Sequence, residues 1–453
     1  MPRSRHRPHS TLIVVPMLLL VAAGAAAVTW RSPIDPIATG QAPAFDEATI
    51  ERGAQLAAVA DCAGCHTAPG GMPYAGGVAL ETPFGIIHGT NITPDPDTGI
   101  GRWSETAFER AMREGIDRAG RHLYPAFPYD HFALVNDDEL HALYAYLMTR
   151  TAVPAQAKAN NLKFPFNMRP LIGFWNVLFL RDGAVQPDAN ASADWNRGAY
   201  LVQSLGHCGA CHTPRNGLGA EDRHAALAGG EVEGWYAPPL NAASPSPLPW
   251  TVDQMTTYLR EGIVDGHAIA GGPMQPVVYS LAQARPEDVR AIATYIVAAM
   301  GNPTPEREAR ARDSVARAGL AQGVAAGSPP ASAAARLAAA VPPPAAAAGD
   351  SGAAIYNGAC AGCHEQGRQP SSAGALQLPV AIALHENTPK SLIRIINEGI
   401  TPTVGERGRW MPPFGGALTD AQLTALVIFL RTFAPGAPPW SNVADEVRQA
   451  RHS

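Results

Sequence analysis

Charge is scarce in this chain. Only 16% of its 453 residues are Asp, Glu, Lys or Arg, and 34 basic against 39 acidic residues leave a net charge of −5. No basic excess is available to neutralise a phosphate backbone, which excludes a nucleic-acid-binding role. Cysteine is scarcer still: six residues are too few to staple a chain of this size, so a disulfide scaffold is excluded. Beyond residue 30 no segment is long and apolar enough to span a bilayer. Long central strands are not expected either, because 44 Gly and 42 Pro predict abundant loops. What is present is apolar bulk, 46% of residues, which excludes a wholly disordered chain. At roughly 100–200 residues per domain, the length predicts two to four domains.

The six cysteines fall in three pairs, Cys62/Cys65, Cys208/Cys211 and Cys360/Cys363, each followed at once by a histidine: His66, His212 and His364. Cys-x-x-Cys-His is the attachment signature of c-type haem. Its two thiols add to the vinyl groups of one porphyrin, and the histidine supplies the proximal iron ligand. A zinc site needs two such pairs acting together, and these lie far apart in sequence. A thioredoxin-type redox motif does not require the histidine. The expectation is three covalently bound haem c groups with no thiol left over.

Residues 1–9 carry Arg3, Arg5 and Arg7 with no acid, and Leu12–Trp30 then runs 19 residues without a charge. With the small-residue stretch Ala22–Ala27, this reads as a cleaved secretory signal or a retained membrane anchor. Either exports the body of the chain, as haem c attachment requires, and the expected location is the periplasmic face of a bacterial inner membrane.

The chain also repeats itself around the haem motifs. Glu51-Arg-Gly-Ala-Gln-Leu, Asn196-Arg-Gly-Ala-Tyr-Leu and Asp350-Ser-Gly-Ala-Ala-Ile precede the three motifs. Later in each copy a helix ends at Arg113-Glu-Gly-Ile, Arg260-Glu-Gly-Ile or Asn397-Glu-Gly-Ile, with the glycine as C-cap. A closing helix follows over Asp137–Met148, Pro286–Ala298 and Thr419–Thr432. The expected fold is all-α, with three tandem cytochrome c domains, each a small helical domain around one haem that fills its core. The divisions are a signal or anchor segment at 1–43, domain 1 at 44–152, an aromatic connector at 153–189 and domain 2 at 190–302. An Ala/Pro-rich linker at 303–348, domain 3 at 349–435 and a tail at 436–453 follow. The connector, with Phe164-Pro-Phe-Asn-Met-Arg-Pro-Leu and Gly173-Phe-Trp-Asn-Val-Leu-Phe-Leu, reads as a packed interdomain or partner surface. The linker reads as semi-rigid or disordered. The tail reads as a membrane-surface helix or a frayed end.

Met274 lies 12 residues after Gly262 and Met411 lies 12 after Gly399, both beside prolines. A thioether on a stiffened loop is the usual distal haem ligand and raises the potential. At the same offset from Gly115 stands Phe127, which cannot bind iron. The first haem is therefore five-coordinate or takes a neighbour, with His131 the first substitute and His122 and Met112 behind it. Bis-imidazole ligation would lower its potential and suit an electron entry point.

Thr82-Pro-Phe-Gly, Asn91-Ile-Thr-Pro-Asp, Thr98-Gly-Ile-Gly, His122-Leu-Tyr-Pro-Ala and the Leu201–Gly219 segment resemble the triheme cytochrome c subunit of bacterial membrane-bound dehydrogenases. The resemblance spans about 44–435. It implies an electron-transfer subunit that takes electrons from a catalytic dehydrogenase subunit and delivers them to quinone or another acceptor. Tyr124-Pro-Ala-Phe-Pro-Tyr-Asp-His-Phe and the Phe164 string look more like subunits paired with molybdenum hydroxylases than with quinoprotein or flavoprotein partners. The competing reading is a stand-alone haem enzyme built on the first haem, and Phe127 is the feature that favours it. No catalytic residue is assigned.

Overall fold

The computed structural model describes residues 24, 28–38, 44–180, 183–264, 266–322, 351–365, 377–400, 411–434 and 436–452. Residues 1–186 with 203–207 form one compact unit, and 187–202 with 208–453 form a second.

In the first unit, α1 (Glu47–Val59) starts at Asp46, whose carboxylate accepts from the Thr49 amide. Capping at this position satisfies an otherwise orphaned donor. The short α2 (Cys62–His66) carries the first haem motif. A hairpin of β1 (Ala79–Thr82) and β2 (Gly85–His88) follows, then α3 (Glu105–Glu114), α4 (Tyr129–Phe132) and α5 (Asp137–Met148). The closing helix α5 has the bounds that its Asn136 cap and apolar spacing predict, and Asn136 accepts from the Glu139 amide. Gly115 ends α3 at φ 63°, a left-handed conformation that costs glycine nothing.

The connector is structured. β3 (Asn161–Leu162) adds antiparallel to β2, and α6 (Pro170–Phe179) opens with a proline at N1, where its missing N–H is harmless. One face of α6 buries Gly173 and Trp175 against the domain. The other leaves Leu171, Phe174, Val177 and Leu178 in solvent.

In the second unit, α7 (Ala193–Gln203, its last residue counted with the first unit) precedes the second motif. Here α8 (Gly209–His212) is followed by the β4 (Gly230–Val232)–β5 (Trp235–Ala237) hairpin. Then come α9 (Val252–Glu261), β6 (Ile263–Val264), β7 (Ala268–Ile269), α10 (Met274–Gln283) and α11 (Pro286–Met300). Within the Ala/Pro-rich stretch that begins at 303, α12 (Pro305–Gln322) is helical; 323–350 lie outside the described residues. The third motif sits in α14 (Ala361–His364), after α13 (Gly352–Ile355), and α15 (Lys390–Glu398), α16 (Asp420–Arg431) and α17 (Val443–His452) follow.

The tail corrects the sequence expectation. Instead of fraying or offering an apolar face to a membrane, α17 buries Val443 and Val447 in the core formed by Leu423, Leu426, Val427 and Leu430. Trp440 donates its indole N–H to the Glu386 carbonyl, and the Arg431 guanidinium lies 4.1 Å over the Trp440 ring. Valines at i and i+4 share one helix face, and an apolar stripe of that width is satisfied by a protein core as readily as by lipid.

One packing device occurs three times. A Cβ on Gly53 would stand 1.9 Å from the Ala142 carbonyl oxygen, one on Gly198 2.0 Å from that of Ala291, and one on Gly352 2.1 Å from that of Ala425. In each case the helix before a haem motif crosses the closing helix backbone to backbone. Beside two of the crossings lies a charge pair between the same elements, Arg52–Glu139 at 2.5 Å and Arg197–Asp288 at 2.7 Å. The fold is thus largely helical, with three small sheets among the described residues. No described helix is long and apolar enough to cross a membrane.

Candidate haem sites

Each haem motif forms a single helical turn, which sets two cysteines three residues apart on one side with the histidine following. None of the six cysteines is in a disulfide. Burial pushes the Cys62 and Cys208 thiols up to about 12 and Cys360 to about 11. Such thiols stay protonated at neutral pH. Neutral thiols paired in this way fit addition to vinyl groups.

The adjacent histidines are held from behind. His66 Nδ1 lies 2.6 Å from the Thr90 carbonyl oxygen, and His212 Nδ1 lies 2.7 Å from that of Pro238. A hydrogen bond from Nδ1–H to a backbone carbonyl fixes tautomer and ring plane and leaves Nε2 as the ligating nitrogen. Burial lowers both imidazole pKa values, which favours the neutral ring that metal binding needs. Both acceptor carbonyls come from the loop after a β-hairpin, so the hairpins position the carbonyls. Gly89 makes the approach possible in the first copy, since a Cβ there would stand 1.9 Å from the Cys65 carbonyl oxygen. Gly230 does the same against the Cys211 carbonyl at 2.3 Å. His364 occupies the same place in α14, and residues 366–376 after it lie outside the described residues.

The two methionines at equal sequence offset sit in different local structures. Met274 is the first residue of α10, following Pro273. Gly271 and Gly272, just before it, lie against the Trp235 ring: a Cβ on Gly272 would stand 2.2 Å from Trp235 Cε2. Met411 instead pairs antiparallel with Ile400, through Ile400 N–H to Met411 O and the reverse bond, both 2.9 Å. Residues 401–410 are outside the described residues, and both methionines are half-buried. In the first copy, Phe127 packs at a tilt against Phe132, with 5.3 Å between ring centres. His131 in α4 is buried, with Nδ1 2.7 Å from the Gln203 carbonyl oxygen, a clamp of the same kind as those behind His66 and His212. His122 is also buried but faces α6, its Nε2 3.2 Å from where a Gly173 Cβ would be. Met112 is buried in α3.

Trp235 is a residue that sequence reasoning passed over. It is buried between the Gly271–Gly272 turn and α15, and a Gly271 Cβ would lie 3.2 Å from its ring and 3.8 Å from Ile395. Around it, Ser391 Oγ donates to the Tyr236 carbonyl at 3.0 Å, Lys390 pairs with Glu231 at 2.7 Å, and Ile382 N–H donates to the His267 carbonyl at 3.1 Å. The third-motif segment is thereby seated on the β4–β5 hairpin. The Gly-Gly before Pro-Met was the available signal, because it marks a close approach of backbone to something bulky.

Comparison with known proteins agrees with this chemistry. Residues 50–151 match the family model described as cytochrome c, and residues 347–430 match that of cytochrome c oxidase, cbb3-type, subunit III. A nicotinate dehydrogenase subunit of Pseudomonas putida is 45% identical over 94% of the chain, which spans about a third (34%) of that relative's length. The gluconate 2-dehydrogenase cytochrome c subunit of Pantoea cypripedii is 36% identical, covering 85% of this chain and 86% of the relative. The fructose dehydrogenase cytochrome subunit of Gluconobacter japonicus is 35% identical, with 89% and 82% covered. With the Cys-x-x-Cys-His turns and carbonyl-clamped histidines already in place, the chain belongs to the family of cytochrome c subunits of bacterial dehydrogenases.

Proposed function

We propose that the chain consists of three tandem cytochrome c domains and acts as a triheme electron-transfer subunit at the periplasmic face of the inner membrane. It carries electrons from a catalytic dehydrogenase subunit to quinone or another respiratory acceptor. The observation that carries this reading is the clamp from His66 Nδ1 to the Thr90 carbonyl, repeated at His212 and Pro238, beside half-buried paired thiols. Haem c, when bound, supplies a one-electron carrier. The chain's own residues do the rest. Cys62, Cys65, Cys208, Cys211, Cys360 and Cys363 tether the groups; His66, His212 and His364 hold the iron on one side. Met274 and Met411 would supply a further iron ligand at the second and third sites, and His131 would do so at the first. The apolar helix crossings around each motif keep water away and hold the ligands in place.

The partner we favour is a molybdenum hydroxylase acting on an aromatic N-heterocycle. Support comes from the 45% identity to a nicotinate dehydrogenase subunit, against 36% and 35% for the gluconate and fructose dehydrogenase subunits. The test is reconstitution of the holoprotein with a molybdenum hydroxylase from the same organism. Nicotinate should reduce the haems, read at the ferrous α-band, and the haem-to-chain ratio should be three. Haem reduction by an alcohol or a sugar acid with a quinoprotein or flavoprotein enzyme, and none with nicotinate, would replace the proposed partner. Substrate turnover by the isolated chain would replace the electron-transfer reading.

A further inference from the structure

The exposed face of α6 has no role in the haem sites. From Pro170 to Leu180 the chain carries no charge, yet Val177 is 68% and Leu178 66% exposed, with Leu171 and Phe174 at 40% and 43%. Patches of this kind mark a binding surface, since soluble proteins seldom leave a contiguous apolar stripe open. The helix cannot roll to hide it. On the inner side, Asn176 donates to the Glu114 carbonyl at 3.0 Å and accepts from Tyr129 Oη at 2.7 Å, and Trp175 is buried. With ten residues, α6 is about 15 Å long, half of what a bilayer core requires, so it can lie along a membrane but not cross one.

What covers the stripe is indicated by the neighbouring chain. The Val28 backbone rests on Gly173, whose Cβ would stand 2.5 Å from the Val28 carbonyl oxygen, and Trp30 beside it is 68% exposed. The uncharged run Leu12–Trp30 therefore ends against α6, on the side that carries Gly173. At the rim, Arg169 donates to the His122 carbonyl at 2.7 Å and stacks over Tyr124, and Arg31 follows Trp30. Trp and Arg at the edge of an apolar face suit the headgroup boundary of a bilayer. A protein docking surface would also offer hydrogen-bonding side chains, about one per 100–200 Å². The amide of α6, Asn176, is turned inward and used, and its indole, Trp175, is buried.

We propose that α6, with Trp30, is a membrane-surface helix whose Leu171–Phe174–Val177–Leu178 face is buried among phospholipid headgroups and upper acyl chains. It holds the first haem domain flat against the bilayer. The proposal rests on the membrane-side placement above, but its test does not depend on electron transfer.

All six native cysteines belong to haem motifs, so one introduced thiol can be followed alone. Full-length holoprotein carrying Val177→Cys or Leu178→Cys, and separately Glu51→Cys on α1, is labelled with a maleimide polyethylene glycol and scored by gel shift. The protein is compared in detergent-free solution and bound to phosphatidylcholine/phosphatidylglycerol vesicles. Labelling at 177 and 178 should slow about tenfold or more on vesicles, as for residues sunk into the headgroup boundary, while Glu51→Cys is unchanged. Equal labelling with and without vesicles overturns the proposal. So does protection by the dehydrogenase partner in the absence of lipid without protection by vesicles, which would make the face a protein interface. Haem content and dithionite reduction, measured on the same samples, report on the electron-transfer reading independently.

Discussion

Gly53 packs directly on the Ala142 carbonyl: a Cβ at position 53 would come within 1.9 Å of that oxygen and 2.6 Å of the Tyr146 Cβ. The same relationship links Gly198 with Ala291 and Gly352 with Ala425. Two helices approach this closely only where one has no side chain, and at this distance the crossing helix presents backbone, which cannot move aside. Gly53→Val, Gly198→Val and Gly352→Val should each destabilise one domain by about 3 kcal/mol or more. The pyridine haemochrome assay should then show loss of close to one haem per chain in each variant. Retention of all three haems with unchanged thermal melting would disprove the role of the crossing.

The first Cys-x-x-Cys-His copy differs from the other two through Phe127, which stands where they have Met274 and Met411. With His131 clamped at Nδ1 by the Gln203 carbonyl, the ferric protein should show a low-spin bis-imidazole EPR signal for this site, and His131→Ala should convert it to high-spin. A high-spin signal from one haem in three in the unmodified protein would rule out His131 as the ligand.

Trp235 seats the turn that leads into Met274. Gly272→Val places a branched side chain where even a Cβ would stand 2.2 Å from the indole, so ring and turn must separate. The expected result is loss of the sulfur-to-iron charge-transfer absorption of one His/Met haem, and a lower midpoint potential for that haem alone. Unchanged absorption and potentials would show that the turn tolerates displacement.

Glu386 gives a pH dependence. Burial pushes its carboxyl up to about 8 from 4.5, and the Ser391 hydroxyl and the Arg431 guanidinium only partly oppose it. Its Oε2 has no hydrogen-bond partner, while Arg431 donates to the Leu384 and Glu386 carbonyls. An acid whose folded pKa is raised keeps its proton in the folded chain and releases it in the unfolded one. Its contribution is complete below about 4.5 and is lost as pH rises through about 8. Glu386→Gln should flatten the fall in stability across this window, a difference on the order of 5 kcal/mol at its alkaline end. Melting curves at intervals from acid to alkaline pH test this, and parallel pH profiles for the two proteins would refute it.

Much of the local structure is legible in the sequence because it is settled within one or two turns. Gly115 and Gly262 end their helices in the left-handed conformation, with φ of 63° and 74°, as a C-cap glycine should, and Gly399 ends its helix with φ 73° but an extended ψ that glycine alone tolerates. Asn136 and Thr419 cap closing helices at the expected residues, Thr419 with a full capping box. Even the unlike settings of Met274 and Met411 have a local cause. Met274 follows a proline and can begin a helix, whereas Met411 precedes Pro412 and Pro413 and is driven into an extended conformation. Equal spacing from the capping glycines hid that difference.

The residues Cys-x-x-Cys-His, the helix caps and the threefold repeat are the sequence's own determination, since each depends on neighbours along the chain. Tertiary structure alone decided which surfaces are used. Val443 and Val447 are covered by α16, while the equally apolar Val177 and Leu178 are left open because Asn176 and Trp175 turn the other side of α6 inward. It also placed the Trp235 ring on the turn before Met274 and carbonyls behind His66 and His212. An apolar stripe or an imidazole specifies only that a partner is needed; which one it meets depends on the packing of segments distant in sequence.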